Sequence, residues 1–541
     1  MISVILAVLV ALPVLIVASR IFQDSGGVWP HLVETLLAEY ITNTVVLMLG
    51  VGVISVTIGV TTAWCVTMLR FPGSRVLEWA LLLPLAVPAY VMAYVYTDLL
   101  EFAGPVQTGL RDVFGWGRRD YWFPDIRSLE GAMLVMGLVL YPYVYMLARA
   151  AFLEQSLCVL QVSRTLGKGP VSSFFRVALP LARPAIVAGL ALALMETIAD
   201  YGTVEYFGVP TFTTGIYRAW FGMQSPIAAS QLAACLMIFV IVLASLERSS
   251  RGKARFHHAT HRYQDLRPPV LKGLTAWLVF GVCSLPIVFG FLLPAGILLN
   301  YAVTVGDQLW GPRFFAFATN SLTLASVTAV LAIILSSVLA YALRLSANPM
   351  VRTAVRITSL GYAVPGSVIA IGVLIPFAAF DNAIDGVARS VFGFSTGLIL
   401  TGTIVALVYA YLVRFMAVSF SAVESSLGRV SPSMDMASRT LGKTKGQTLM
   451  HVHAPIMRGG LLTAAVLVFV DVMKELPATL IVRPFNFDTL AVRVYRLASD
   501  ERLAEASTAA LSIVAVGILP VILISVAIAR SRPGQSSRQP D

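Results

Sequence analysis

Long apolar stretches alternate with short polar connections along nearly all of the 541 residues. A helix needs about 20 consecutive apolar residues to cross a bilayer core of ~30 Å. The stretches that meet this length predict about twelve spanning helices, at 2–19, 41–69, 77–100, 129–153, 184–202, 227–246, 273–300, 318–343, 353–378, 396–420, 459–480 and 507–529. The fifth and the eleventh carry acidic residues. We therefore expect an all-α polytopic membrane protein.

Composition and charge agree with this class. Hydrophobic residues make up 57% of the chain and charged residues 12%, roughly half the charged share of a soluble domain. Apart from Arg20, most Lys and Arg residues fall on the side of the predicted spans that holds the termini. Because cytoplasmic loops are rich in these residues, both termini are expected in the cytoplasm. The net charge of +11 is then a feature of the inner leaflet rather than of nucleic-acid binding.

One six-residue sequence occurs twice, since 163–168 and 438–443 both read SRTLGK. Two further matches, at a similar spacing, align Thr42-Asn43-Thr44 with Thr319-Asn320-Ser321 and Pro88 with Pro365. Six spans per half give the two halves the same orientation, which makes a parallel repeat. The predicted organisation is a first membrane repeat, 1–247, a basic cytoplasmic linker, 248–272, and a second membrane repeat, 273–541.

Each copy of the repeated sequence lies in a predicted cytoplasmic elbow, in which a glycine separates two short helices. In the second copy the helices are 434–441 and 446–452, with a stop at Gly442; in the first they are 154–166 and 171–177, with a stop at Gly167. The apolar side chains of such an elbow would form a ridge that suits a groove in a partner protein. A single loop of this kind could instead shield lipid headgroups. Two identical copies favour a partner of two-fold symmetry. The residues assigned to this coupling are Ser163, Arg164, Thr165, Leu166, Gly167, Lys168, Ser438, Arg439, Thr440, Leu441, Gly442 and Lys443.

The sequence contains no nucleotide-binding segment. Gly442-Lys443-Thr444 resembles the end of a phosphate-binding loop, but Ala437 stands where that loop needs its first glycine, and no strand precedes it. No polar stretch is long enough for an ATPase domain. We therefore expect the chain to be no enzyme, to bind no cofactor, and to depend on another polypeptide for ATP hydrolysis.

Acidic and aromatic residues cluster at the outer ends of the fifth and eleventh predicted spans. The repeat aligns Glu196 with Asp471 and Asp200 with Glu475. Charged groups at membrane depth normally face a bundle interior or a wet path, and carboxylates with tyrosines supply the hard oxygen ligands that a trivalent cation prefers. The residues assigned to a translocation path or gate are Glu196, Asp200, Tyr201, Glu205, Asp471 and Glu475. Docking of a periplasmic protein, or ion pairs with Lys474 and Arg483, are the alternatives.

The elbow resembles the EAA loop of permease subunits in bacterial ABC importers. Gln161-Val162-Ser163 and Met436-Ala437-Ser438 stand where Glu-Ala-Ala is expected, so the acidic residue is missing from both copies, while the glycines and the later Leu179-Pro180 and Pro455 are kept. The resemblance implies a type I-like ABC importer permease fold. It also implies that the elbows dock on an ABC ATPase subunit dimer.

The outer segments 474–479 and 483–490 extend the resemblance to essentially the whole chain. They are similar to the fused, two-repeat permeases of ferric iron importers. This implies a bacterial inner-membrane protein that receives Fe(III) from a periplasmic substrate-binding protein, with transient Fe(III) contacts at Glu196, Asp200, Asp471 and Glu475. Permeases for thiamine, sulfate-like anions or polyamines are the near alternatives. An ion-coupled secondary transporter also uses repeats and intramembrane carboxylates.

The remaining features carry blander expectations. The first span lacks a basic leader and an Ala-x-Ala site, so it is expected to be a retained helix rather than a signal peptide. The four cysteines form no CxxC pair and are expected to pack. The linker histidines His257, His258 and His261 are expected to be solvated rather than to bind a metal. His451 and His453, after the second elbow, are expected to pack or to contact headgroups.

Overall fold

The computed structural model describes residues 2–154, 170–251, 270–305, 311–346, 348–358, 361–428 and 430–530. Within them the backbone is almost entirely helical. The helices of the first half are α1 Ile2–Ser19, α2 Val28–Thr35, α3 Leu37–Met68, α4 Ser74–Ala80, α5 Ala89–Leu100, α6 Pro105–Phe114, α7 Leu129–Glu154, α8 Leu179–Ala199, α9 Gly202–Tyr206, α10 Phe212–Tyr217 and α11 Pro226–Arg251.

The second half repeats this order with small differences in length. Its helices are α12 Leu274–Ile287, α13 Leu293–Val305, α14 Pro312–Leu345, α15 Pro349–Thr358, α16 Gly366–Phe392, α17 Ile404–Leu427, α18 Pro432–Thr440, α19 Lys445–Thr448, α20 Ala454–Lys474, α21 Pro477–Val482, α22 Leu490–Ser499 and α23 Leu503–Arg530. Four π-helical turns occur in the described chain, and three of them, such as Val288–Leu292 between α12 and α13, join helices without a break.

Ten segments of the described chain are long and apolar enough to cross a membrane. A further pair, Ser74–Ala86 with Ala89–Phe114, passes the same test together but is bent by 90°, and Ser3–Ser19 is apolar but shorter. These twelve segments correspond one to one with the predicted spans. The prediction of an all-α polytopic membrane protein is therefore confirmed.

The third and ninth predicted spans are wrong as continuous helices. The third, 77–100, breaks before α5, and the ninth, 353–378, breaks before α16. Pro88 and Pro365 are the N-caps of these two helices, with extended ψ values of 141° and 143°. Proline lacks the N–H of a helix interior and disfavours helical geometry in the residue before it. The break therefore recurs at equivalent positions of the repeat.

The core of each half is a bundle of three long helices. In the first half α3 packs along α7 and α8, and in the second half α14 packs along the equivalent α17 and α20. The leading helices cross between the halves, since α1 packs on α15 and α16, whereas α13 packs on α5 and α23. The two repeats are thus interlocked, and the domain boundaries drawn from the sequence separate segments that share one core.

Candidate functional site

The fifth and eleventh predicted spans end earlier than the apolar pattern suggests. They stop at Ala199 and Lys474, and each is followed by one extended residue, Asp200 with ψ of 139° or Glu475 with ψ of 125°. A second short helix, α9 or α21, then begins. Each repeat therefore has a helix break at the same place, and an acidic residue occupies it.

These two acidic residues stabilise the helices that follow the breaks. The Asp200 carboxylate accepts hydrogen bonds from the Thr203 and Val204 amides at 3.0 and 3.2 Å. Glu475 accepts from the amides of Ala478 and Thr479 at 2.8 and 3.0 Å. Side-chain oxygens in this position satisfy N–H groups that have no partner within the helix. Asp200 and Glu475 are therefore equivalent capping residues, a role that the sequence alignment of the repeat did not anticipate.

A cavity of about 110 Å³ lies between the two helix breaks. Both halves contribute to it, and its walls contain the four carboxylates that the repeat pairs, Glu196 with Asp471 and Asp200 with Glu475. Charged, phenolic and apolar side chains line it, including Val87, Tyr90, Met136, Tyr143, Glu196, Asp200, Arg414, Phe415, Asp471, Lys474, Glu475 and Leu476. The predicted pairing of carboxylates about a central space is thus present in the structure.

Two cations also line this cavity. The Arg414 guanidinium lies 3.4 Å from Glu475 and 3.9 Å from Glu196, across the two repeats. The Lys474 ammonium lies 3.0 Å from Asp471, which is the ion pair weighed as an alternative for this region. Glu196 also accepts a hydrogen bond of 2.8 Å from the Tyr362 hydroxyl.

Sequence reasoning missed Arg414, although a signal was present. It is a lone arginine within the apolar stretch 396–420, and a charge at membrane depth marks a partner or a wet path by default. Its contacts with Glu196 and Glu475 depend on how helices distant in sequence pack, and no local pattern encodes that. Among the described residues no group of three or more His, Cys, Asp or Glu side chains is arranged to hold a metal ion.

A cluster of three tyrosines, Tyr201, Tyr217 and Tyr495, lies beside the cavity without lining it. The Tyr201 ring stacks on Tyr217 with centroids 3.6 Å apart, and its hydroxyl lies 3.3 Å from that of Tyr495 in the other repeat. The Tyr217 hydroxyl donates to the Pro477 carbonyl. Glu205 is exposed and does not line the cavity. Four of the six predicted path or gate residues therefore line the cavity, Tyr201 lies beside it in the tyrosine cluster, and Glu205 lies outside.

The segments after the helix breaks are held to the long helices by two equivalent asparagines. Asn43 on α3 donates to the Pro210 carbonyl at 2.9 Å, and Asn320 on α14 donates to the Asp488 carbonyl at 3.0 Å. These are the asparagines of the Thr-Asn-Thr and Thr-Asn-Ser match between the repeats. Their hydrogen bonds give a physical reason for that match.

The second elbow has the shape expected from its sequence. Helix α18 ends at Thr440, and Gly442 follows with φ of +77°. The Lys443 amide donates to the Ser438 carbonyl at 3.1 Å and the Gly442 amide to the Arg439 carbonyl at 2.9 Å. This pair of bonds is the Schellman arrangement, which needs a left-handed residue. The glycine stop is confirmed in this copy.

The polar residues around the second elbow attach it to the end of α14. Asp435 lies 2.8 Å from the Arg344 Nε and 2.6 Å from the His453 Nε2. Arg344 also donates to the Leu427 and Val430 carbonyls at 3.0 and 2.8 Å. His453 was expected to pack or to contact headgroups, whereas it is buried and bonded to Asp435.

This attachment perturbs the titration of its acidic member. Burial acts to raise the pKa of Asp435, but hydrogen bonds from Arg344 and His453 outweigh it and hold that pKa below the ordinary aspartate value. The carboxylate therefore stays ionised at neutral pH. Its attachment to Arg344 is lost only in acid.

An exposed apolar ridge runs along the elbow. Leu441 is 79% exposed, and Met434, Met436 and Met450 are also exposed. Flexible methionines adapt to the surface of a partner. The residues assigned to coupling in the first elbow lie outside the described residues, as do three of the histidines: Ser163, Arg164, Thr165, Leu166, Gly167, Lys168, His257, His258 and His261. The second helix predicted for the first elbow, 171–177, is described and is helical.

Comparison with known proteins identifies the class of the chain. A family model described as the inner membrane component of binding-protein-dependent transport systems matches residues 55–248. An Fe(3+)-transport system permease protein, FbpB 2 of Haemophilus influenzae, is 26% identical over 90% of this chain and 90% of its own length. The chain belongs to the permeases of binding-protein-dependent ABC importers. It is a multi-pass protein of the inner membrane, and its role is transport rather than catalysis.

Two further relatives are permeases of transport systems named for different metals. The ferric transport system permease protein FbpB of Actinobacillus pleuropneumoniae is 23% identical over 90% of the permease and 71% of its own length. The molybdenum transport system permease protein ModB of Escherichia coli is 29% identical but matches only 36% of the permease, while 82% of its own length is covered. The two-repeat length is thus shared with the ferric transport relatives.

Proposed function

We propose that this permease moves Fe(III) from a periplasmic substrate-binding protein to the cytoplasm, using ATP hydrolysis by a separate ABC ATPase dimer. The observation that carries the proposal is the match over 90% of both chains to an Fe(3+)-transport system permease. The cavity between the repeats supports it, because four carboxylates against two cations give the lining a negative formal charge, which favours the passage of a cation. In this proposal the chain itself binds no cofactor.

The position of the charged groups suggests how the path is closed. Arg414 and Tyr362 of the second repeat both contact Glu196 of the first, and the hydroxyl contact of Tyr201 with Tyr495 also joins the two repeats. Separation of the repeats would break these contacts together. ATP-driven movement of the elbows is the proposed source of that separation, since a ligand shifts a two-state equilibrium only through contacts that differ between the states.

The exposed ridge of the second elbow is the proposed contact with the ATPase. Its anchor on Arg344 and Asp435 attaches it to α14, which packs along α17 and α20 of the second repeat. A push on the ridge would therefore reach the helices that carry Arg414 and Lys474. The amphipathic helix-in-groove mode of binding fits a ridge of this size. Both termini are proposed to lie in the cytoplasm, on the side of the elbows.

Uptake of labelled iron tests the proposal directly. Cells with and without this gene would be given radioactive Fe(III), with radioactive thiamine and molybdate as parallel substrates. We expect gene-dependent accumulation of iron only, abolished when ATP is depleted. Gene-dependent thiamine or molybdate uptake without iron uptake would refute the assignment of substrate. Iron uptake driven by a proton gradient alone would refute the assignment of energy source.

Import of an oxyanion is the second candidate. The observation that favours it is the pair of cations, Arg414 and Lys474, in the cavity, together with the partial match to a molybdenum transport permease. Four carboxylates against two cations oppose a free anion there, because the summed formal charge is negative. The molybdate arm of the uptake experiment distinguishes the two.

A further inference from the structure

A groove lies at the end of α14 that is opposite the elbow. Its volume is about 430 Å³, and its walls come from the first turns of α14 and α23 and from α22. These turns lie at the ends of the apolar stretches 318–343 and 507–529, so the groove lies where the hydrocarbon core of a membrane meets the lipid headgroups. Charged, aromatic and small side chains line it, among them Arg313, Phe314, Phe317, Arg493, Glu505 and Thr508.

The connection that leads to this end of the long helix differs between the repeats. In the first repeat residues 20–36 connect α1 to α3 and contain the eight-residue helix α2, which packs on α3 and α11. Gln231 of α11 holds this connection by donating to the Ile21 and Gln23 carbonyls at 3.1 and 2.9 Å. In the second repeat only the six residues 306–311 connect α13 to α14, which are too few for a helix of that length.

The groove lies where the first repeat places this connection. Gln224 before α11 and Glu501 before α23 both have positive φ, 49° and 59°, which aligns the two helices at an offset of 277 residues. At this offset Gln231, which holds the connection of the first repeat, corresponds to Thr508, which lines the groove. The second repeat therefore has a groove at the position that the first repeat covers with its own chain.

Two arginines line the groove without an acidic partner. Among the residues that the structure describes, neither the Arg313 nor the Arg493 guanidinium forms a salt bridge or a hydrogen bond. Arg313 is exposed, and the nitrogens of the half-buried Arg493 are accessible. The Arg493 guanidinium carbon lies 5.8 Å from the centre of the Phe317 ring, a contact that leaves its N–H groups free to donate. Glu505, the acidic residue of the lining, is already paired with Arg502 at 2.5 Å.

These arginines are not part of the repeated pattern. At the offset of 277 residues Leu36 holds the position of Arg313 in the first repeat. Threonine N-caps align α10 with α22, which places Gly215 at the position of Arg493. The positive charge of the groove is thus specific to the repeat whose connection is too short to cover it. This favours an anionic occupant.

An anionic phospholipid matches the groove in charge, polarity and position. Guanidinium groups bind phosphate oxygens with charge-assisted hydrogen bonds, and the half-buried rings of Phe314 and Phe317 suit an acyl chain. We propose that the groove binds an anionic phospholipid, with its phosphate on Arg313 and Arg493, at the position that the first repeat covers with α2. A zwitterionic lipid is disfavoured, because the same arginines repel the ammonium of its headgroup.

Lipid binding by the purified permease in detergent tests the proposal. Native mass spectrometry measures the binding of phosphatidylglycerol, with phosphatidylcholine and inorganic phosphate as parallel ligands. We expect Arg313→Gln and Arg493→Gln each to weaken phosphatidylglycerol binding roughly fivefold, as expected for one basic residue at an anionic lipid surface, and to leave phosphatidylcholine binding unchanged. Arg119→Gln is the matched control, because it removes the same charge from an exposed position outside the groove.

A second variant fills the groove and keeps both arginines. Ala509 lines the groove and is 4% exposed, and its counterpart in the first repeat is Leu232. Ala509→Leu therefore introduces the side chain that the first repeat carries at this position. We expect it to weaken phosphatidylglycerol binding by roughly fivefold or more, as the loss of one arginine does. Ala515→Leu, at an exposed position of α23 outside the groove, should leave the binding unchanged.

The outcomes separate a lipid from the other possible occupants. Equal phosphatidylglycerol binding by wild type and both arginine variants would overturn the proposal. Displacement of the lipid by excess inorganic phosphate would also overturn it and would mark the groove as a site for free anions. Arginine variants that bind the lipid normally but capture the periplasmic binding protein less well would overturn it in favour of protein docking. In each case the proposed function would stand, because none of these measurements depends on the cargo.

Discussion

Replacement of Gly442 isolates the contribution of the elbow's backbone geometry. A Cβ added at this position would meet no atom within 4 Å, while its φ is +77°. Valine would therefore introduce strain without a steric clash against other residues. A left-handed conformation costs an ordinary residue roughly 1–2 kcal/mol, and more when the side chain is β-branched. A cost of this size lowers the ratio of native to non-native conformations of the elbow by roughly 5- to 30-fold.

The assay follows iron uptake and ATP hydrolysis in the same proteoliposomes. Gly442→Val should reduce the iron imported per ATP hydrolysed, while membrane insertion and assembly are unchanged. Gly442→Asn should retain most coupling, because asparagine tolerates the left-handed conformation. Gly446→Val is the matched control, since that site also has open space for a Cβ but lies in α19 without a positive φ.

The comparison of the three variants decides the cause. If Gly442→Val couples as well as wild type, the Schellman turn does not transmit force to the transport path. If Gly442→Asn loses as much coupling as Gly442→Val, loss of the glycine matters for a reason other than backbone strain. A defect in Gly446→Val equal to that of Gly442→Val would point to the bulk of the side chain on the elbow surface.

Three further predictions follow from contacts in the described residues. Glu475→Ala should destabilise the protein by about 3–5 kcal/mol in thermal unfolding, because it leaves the buried Arg414 without its nearest partner. Asp200→Ala should cost only a helix cap, about 0.5–2 kcal/mol. Equal losses in the two variants would contradict the assigned ion pair. Asn43→Leu and Asn320→Leu should each lower the free energy of unfolding by about 1–3 kcal/mol, because each leaves a loop carbonyl unpaired. The control Asn300→Leu, at an exposed position, should have little effect. No difference from that control would argue against the two hydrogen bonds. Asp435→Asn should raise proteolysis of residues 431–448 several-fold at neutral pH relative to a Glu424→Gln control. The wild-type elbow should become equally sensitive only in acid, below the ordinary pKa of an aspartate, because hydrogen bonds from Arg344 and His453 lower the pKa of Asp435. Sensitivity of the wild type that already rises near pH 6 would contradict this assignment.

The sequence was most informative where local patterns decide the structure. The apolar stretches, the Gly442 stop and the equivalence of Pro88 with Pro365 each depend on a few adjacent residues, and the structure contains all of them. The error in the third span has the same local origin. Its apolar length meets the requirement for crossing the membrane, but Pro84 and Pro88 lie at the break in the helix.

Contacts between distant segments could not be predicted in this way. The pairing of Arg414 with Glu196 and of Asp435 with His453 joins residues on helices that are brought together only by packing. The repeat alignment came closest to predicting such contacts, because it placed Asp200 opposite Glu475. It suggested a shared role as ligands, whereas their shared role in the structure is to cap the helices after the breaks.

The two halves of the cavity are alike in their carboxylates and unlike in their cations. Asp200 and Glu475 are equivalent, as are Glu196 and Asp471, yet Arg414 and Lys474 both come from the second repeat. The positions of the first repeat that correspond to them, about 275 residues earlier, carry apolar residues. The ion pairs of Arg414 with Glu196 and Glu475 therefore join the two repeats through a cation that only the second repeat supplies. Moving Arg414 to the equivalent place in the first repeat should then disturb transport even though the total charge of the cavity is unchanged.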